Sequence, residues 1–174
     1  MTLRYDIRPA QHLTIGTRGA PGQRIFYLQA SDGIETMTLI IEKVQLLSLE
    51  KGAEQFLDDL EQRYPEIPAA DASYEDGTMA LQEPLDPLFR VGNIGLGYDE
   101  EDDMIVLLAR EFGSGEEEGG DTRTARIWCS RSRLRALCAY GLVVASRGRP
   151  ICPHCGQPID PEGHFCPKRN GHKH

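Results

Sequence analysis

Histidine is nearly missing from the first 150 residues. His12 stands alone there, and the other four are His154, His164, His172 and His174. A Ser/His/Asp or Cys/His set needs an imidazole beside its nucleophile. None can be assembled here without borrowing from the tail, although carboxylate chemistry stays possible. Long apolar runs are missing too, and none approaches the roughly 18 residues of a membrane span. The opening Met1-Thr2-Leu3-Arg4-Tyr5-Asp6 lacks the apolar centre of a signal peptide. These absences predict a cytoplasmic chain with no membrane contact, in a compartment where disulfides are rare. Aromatic residues make up only 7% of the chain, few for a surface that stacks bases.

What is present is concentrated at the C-terminus. Cys152-Pro153-His154-Cys155-Gly156 is answered ten residues later by Gly163-His164-Phe165-Cys166-Pro167. Thiolates two residues apart on a tight Pro/Gly turn aim at one point and grip one soft divalent metal, of which zinc is the first choice. Cys166 is the third ligand. The fourth is His164, paired as His-x-Cys, or alternatively His172, paired as Cys-x5-His. The preference for two chelating turns favours His164. Disulfides are the competing reading, but three cysteines make an odd set. Three thiolates and a choice of histidines close the coordination shell, so the metal is expected to be structural, with no open position for water.

The charge is lopsided. Residues 1–120 hold 9 Lys/Arg against 24 Asp/Glu, a net −15, while residues 121–174 hold 10 against 3, a net +7. A basic end of this kind either meets a polyanion or docks on its own acidic body. The second is favoured. The first would use Arg123, Arg126, Arg131, Arg133, Arg135, Arg147, Arg149, Lys168 and Arg169.

Periodicity divides the body in two. His12 to Gly16, Arg24 to Ala30 and Glu35 to Ile41 read as three strands, the last two joined by an Asp32-Gly33 hairpin turn. The N-terminus up to Gln11 reads as mixed and polar. Leu46, Leu49, Ala53, Phe56, Leu57, Leu60 and Tyr64 recur at helical spacing, and Pro65 sets the stop. A proline-rich, acidic connector runs from 65 to 87. Leu88 to Gly97, Met104 to Glu111 and Thr122 to Cys129 form a second set of strands. A second helix, capped by Ser130 or Ser132, buries Leu134, Leu137 and Cys138. The predicted class is α+β: antiparallel sheet or sheets built as two strand-strand-strand-helix units over residues 1–148, followed by a small zinc ribbon at 149–174.

Gly92-x-x-Gly95-x-Gly97 superficially suggests a phosphate cradle. The glycines sit inside a strand ahead of an acidic turn, where bends or close packing explain them better. The acids at 99–103 and 116–118 lack the spacing of a calcium loop.

The tail from Cys152 to Pro167, followed by Asn170-Gly171, resembles the ending of an uncharacterised bacterial family found chiefly in actinobacteria and Chloroflexi. The Gly92-Asn93-Ile94-Gly95-Leu96-Gly97-Tyr98-Asp99 run and Arg149-Pro150 fit the same family. The resemblance implies a zinc ribbon on an α+β body. The family's ending reads Asn-Gly-Tyr, which leaves His164 as fourth ligand, but here His172 takes the third place. It also implies a shared pathway with a phosphatase-like protein of the phosphoglycerate-mutase type and a lipid-kinase-like protein, and it supplies no catalytic residue. The expectation is a non-enzymatic zinc-binding protein working through protein–protein contacts. Nucleic-acid binding by the basic third is the alternative, and an enzyme with an unidentified site the second alternative.

Overall fold

The computed structural model describes residues 2–20, 22–113, 121–147 and 153–155. Alternation along the strands sets the core. Leu13 and Ile15, Phe26, Leu28 and Ala30, and Met37, Leu39 and Ile41 are all buried on one face of β2 (His12–Arg18), β3 (Ile25–Ser31) and β4 (Thr36–Ile41). The hairpin between β3 and β4 turns where expected. Gly33 takes φ +93°, and the Asp32 carboxylate accepts the N–H groups of Ile34 and Glu35.

The period then changes, and α1 (Lys43–Arg63) buries Leu46, Leu49, Ala53, Leu57 and Leu60. The side chain of Gln45 accepts the N–H of Glu42 and closes the helix start. A second meander follows: β5 (Pro87–Asp99), β6 (Met104–Glu111) and β7 (Thr122–Cys129). Then comes α2 (Arg131–Ser146), whose N-cap Ser130 accepts from the N–H of Arg133. The two helices pack on each other, with α2 on β2 and α1 on β5.

Two expectations are corrected. The strands do not form purely antiparallel sheet. They make one mixed seven-stranded sheet in which β4 pairs with β5, and β1 with β7, in parallel. The order strand-strand-strand-helix does occur twice, as β2-β3-β4-α1 and β5-β6-β7-α2, but an extra strand precedes it. The polar N-terminus forms β1 (Thr2–Ile7), registered along β7 from Thr2 opposite Thr122 to Ile7 opposite Ile127. Leu3, Tyr5 and Ile7 do alternate with Arg4 and Asp6. The pattern was present but short, and its partner lies 120 residues away.

The order β1-β7-β6-β5-β4-β3-β2 puts β1 and β2 at opposite edges of the sheet, yet four residues join them. Laid flat, seven strands span about 29 Å at ~4.8 Å per spacing, while five Cα steps reach only about 18 Å. The sheet must therefore curl. Residues of the connection fasten the curl: Ala10 donates to the carbonyl of Trp128 at 2.7 Å, and Gln11 to that of Ser31 at 2.8 Å. The inner face of the curl carries the core, including Ile105, Leu107, Ile127 and Cys129.

The connector after α1 covers part of the outer face. Thr14 donates to the carbonyl of Met79, and Gln29 exchanges hydrogen bonds with the backbone of Gln82. A Cβ on Gly16 would stand 2.6 Å from the Leu81 side chain. That strap explains why Thr14, Gln29 and Thr38 are polar and yet buried.

Candidate functional site

Of the residues expected to hold metal, Cys155 alone is described. It closes a turn at 153–155 and is partly buried, with His154 exposed beside it. Cys152, His164, Cys166 and the alternative ligand His172 lie outside the described residues. Among the described residues no three His, Cys, Asp or Glu side chains converge to hold a metal. The other two cysteines are core. Cys129 and Cys138 are buried, and burial pushes both thiols up to about 12. A thiol so seldom ionised is a poor nucleophile. His12 is half-buried, and burial holds its imidazole below the ordinary range, neutral at pH 7.

The basic third is largely engaged with the acidic body. Arg123 grips both oxygens of Glu111 and donates to the carbonyl of Leu88. Arg126 grips both oxygens of Asp6 and lies 4.7 Å from the centre of the Trp128 ring. Arg135 faces Glu54, Asp58 and Glu61 of α1. Cations at the start of a helix oppose its dipole, and these carboxylates offset Arg135. Arg133 instead binds the carbonyl of Gln11, and Arg147 sits over the ring of Tyr140. Arg149, Lys168 and Arg169 lie outside the described residues.

Three acids at the turn between β5 and β6, Asp99, Asp102 and Asp103, are similarly engaged. Arg8 reaches Asp99 at 3.0 Å and Asp102 at 2.6 Å. Arg131, with its side chain 7% exposed, makes a bidentate pair with Asp103 and donates to the carbonyl of Pro68. Tyr98 donates to the same carboxylate. The Arg131 guanidinium holds the Asp103 carboxyl below the usual range, and burial together with Asp103 pushes the Tyr98 phenol up to about 12. These side chains join α2, the connector and the turn, so the acids act as fasteners.

A cleft of about 330 Å³ lies between the start of α2 and the connector. Its serine hydroxyls are already used. Ser130 caps the helix, Ser132 accepts from the N–H of Asp71, and Ser73 is bonded to Asp71. Neither histidine nor cysteine is among its lining residues.

Another groove is mainly apolar and was not foreseen. It measures about 490 Å³, between Val44, Gln45, Ser48, Gly52 and Phe56 of α1 and Asn93, Ile94 and Leu96 of β5. It exists because β5 is 13 residues long and β4 has only 6. Pairing of β4 ends at Ile40 opposite Arg90, so residues 91–99 of β5 pair with β6 alone. The glycine run lies on this stretch. Gly92 is the bulge, where a Cβ would meet the backbone of Phe112 at 2.9 Å, whereas a Cβ on Gly95 would meet nothing.

A family model described as "Protein of unknown function (DUF3090)" matches residues 5–166. The chain belongs to that family. The match includes Cys152, Cys155, His164 and Cys166 and stops short of His172. Neither a curated protein nor a solved structure matches the chain. No helix among the described residues is long and apolar enough to cross a membrane.

Proposed function

We propose that this member of the DUF3090 family is a non-enzymatic zinc-binding protein that acts through contacts with another protein. One structural Zn2+ is held by Cys152, Cys155, Cys166 and His164 in a C-terminal zinc ribbon on the α+β body. The observation that carries the reading is the Cys-x2-Cys pair followed by His-x-Cys, a spacing that closes a tetrahedral shell. The family match ends on Cys166 and so contains this ligand set without His172, which favours His164. The chain is read as cytoplasmic and of the actinobacterial and Chloroflexi type, where reduced thiolates suit a metal. A protein partner is favoured over nucleic acid because Arg123, Arg126, Arg131 and Arg135 already face carboxylates of their own chain. A phosphatase-like or kinase-like pathway neighbour is the partner to try first. Elemental analysis of the purified chain should give one zinc per chain. His164→Ala should lose that metal and His172→Ala keep it; the reverse pattern would make His172 the ligand, and absence of metal in the wild type would end the proposal.

A further inference from the structure

The lane beside β5 is where β4 would have continued. At Glu42 the chain turns away into α1 instead, leaving residues 93–98 paired on the β6 side only. In an antiparallel ladder alternate residues point their N–H and C=O groups away from the partner strand. Every second residue here therefore faces the lane. Among the described residues, none of these outward groups at 93–98 has a backbone partner outside the β5–β6 ladder. The Gln45 amide satisfies the carbonyls of Val91 and Gly92 and marks where the open edge begins.

The other wall is helix α1, and it is unusually bare. Gly52 lies mid-helix, where Ala is better by about 1 kcal/mol. A Cβ there would meet nothing within 4 Å. Packing among the described residues therefore does not require this glycine, and it widens the groove. Val44 at the mouth is 68% exposed although apolar. Farther along, the groove continues past Phe56 into a second hollow of about 360 Å³ that reaches Asp59, Arg63, Tyr64 and Glu100. Asp59 and Glu100 make no ion pair among the described residues, and they outnumber Arg63. An open sheet edge beside an apolar helix wall is the geometry for capturing an extended peptide as an added strand: backbone groups supply the bonds and alternate side chains the selectivity.

We infer that residues 93–98 and the facing side of α1 form a strand-addition site for an extended segment of a partner protein. That segment is apolar at alternate positions, with a Lys or Arg at the end nearest Asp59 and Glu100. The inference rests on the reading of the chain as a protein-binding protein and names the surface used. It is independent of the metal, so zinc analysis and peptide binding fail separately.

The test is selection of phage-displayed random heptapeptides on the full, metal-loaded chain, followed by synthesis of the recovered sequences. Recovered peptides should alternate apolar residues, end in a basic residue, and slow amide exchange at 93–98. Ser48→Trp, at an exposed groove position, should weaken their binding at least about tenfold in Kd. Gly52→Phe should do the same, and Gly52→Ala should raise Tm. Equal binding by both filled variants, or slowed exchange mapping elsewhere, overturns the site. Protection at 93–98 that grows with protein concentration assigns the lane to a second copy. Exchange there that rises on metal removal assigns it to the chain's own residues 149–174. Either result overturns the partner-segment proposal.

Discussion

Asp103→Asn removes one negative charge from beside a nearly enclosed guanidinium. Asn suits the position because Asp103 has φ +48°, a left-handed conformation that Asn tolerates. The amide oxygen can still accept from Tyr98 and from Arg131 Nε, but the amide cannot neutralise Arg131 and loses the second bond of the bidentate pair. Breaking a buried pair costs about 3–5 kcal/mol when the remaining charge is enclosed. Arg131 is enclosed, but the Asp103 side chain is 44% exposed, so water screens the pair. Screening reduces that cost, and a loss of about 2–3 kcal/mol is expected. For a chain of this size it lowers Tm by roughly 5–10 °C. Urea unfolding of wild type, Asp103→Asn, Arg131→Met and the double variant gives the coupling directly. The double variant should be less unstable than the two single losses combined, by about 1–3 kcal/mol. The pH dependence adds a second reading. Arg131 depresses the folded-state pKa of Asp103, so its stabilisation is present above the unfolded value of about 4 and lost as pH falls below it. Wild type should lose its advantage over Asp103→Asn in that acidic window. Additive single losses, or an unchanged gap between pH 7 and pH 3, would refute the pair as a fastener of α2.

Three further outcomes follow from the geometry. Gly92→Ala drives a Cβ to 2.9 Å from the Phe112 backbone and should cost about 1–3 kcal/mol in urea unfolding, whereas Gly95→Ala should stay within about 0.5 kcal/mol. If the proposed zinc holds only the tail, chelation should raise hydrogen exchange over 149–174 and spare 12–60; an equal rise in both would tie the metal to the body. A nucleic-acid reader with six or more phosphate contacts loses about a thousandfold in affinity between 50 and 200 mM salt. Titration with mixed-sequence DNA and RNA should show no sub-micromolar binding at 150 mM salt. Such binding, weakened by Arg147→Glu or Arg149→Glu, would promote the nucleic-acid alternative.

Local signals were enough to place most of the elements. The alternation of Met37, Leu39 and Ile41, the Asp32-Gly33 turn and the helical spacing from Leu46 to Leu60 each depend on neighbours a few residues apart. Ser130 capped α2 because a hydroxyl needs only the N–H three residues on. The Cys152/Cys155 pair is legible for the same reason, since ligand spacing is a local property. Long-range pairing is not local. Nothing in Leu3, Tyr5 and Ile7 names Ala125 and Ile127 as neighbours, so β1 read as polar coil. Nor does the sequence say that β4 and β5 run parallel, because α1 and a long connector separate them. The curl follows from a length mismatch that exists only once strand order is known. The lane beside β5 arises in the same way: two strands of unequal length became neighbours, and the longer one kept an unpaired edge. Residue chemistry and short spacing thus placed most of the elements and nominated the ligand candidates. Tertiary pairing decided which carboxylates the arginines meet and where a backbone edge stays open, because both depend on residues brought together from distant parts of the chain.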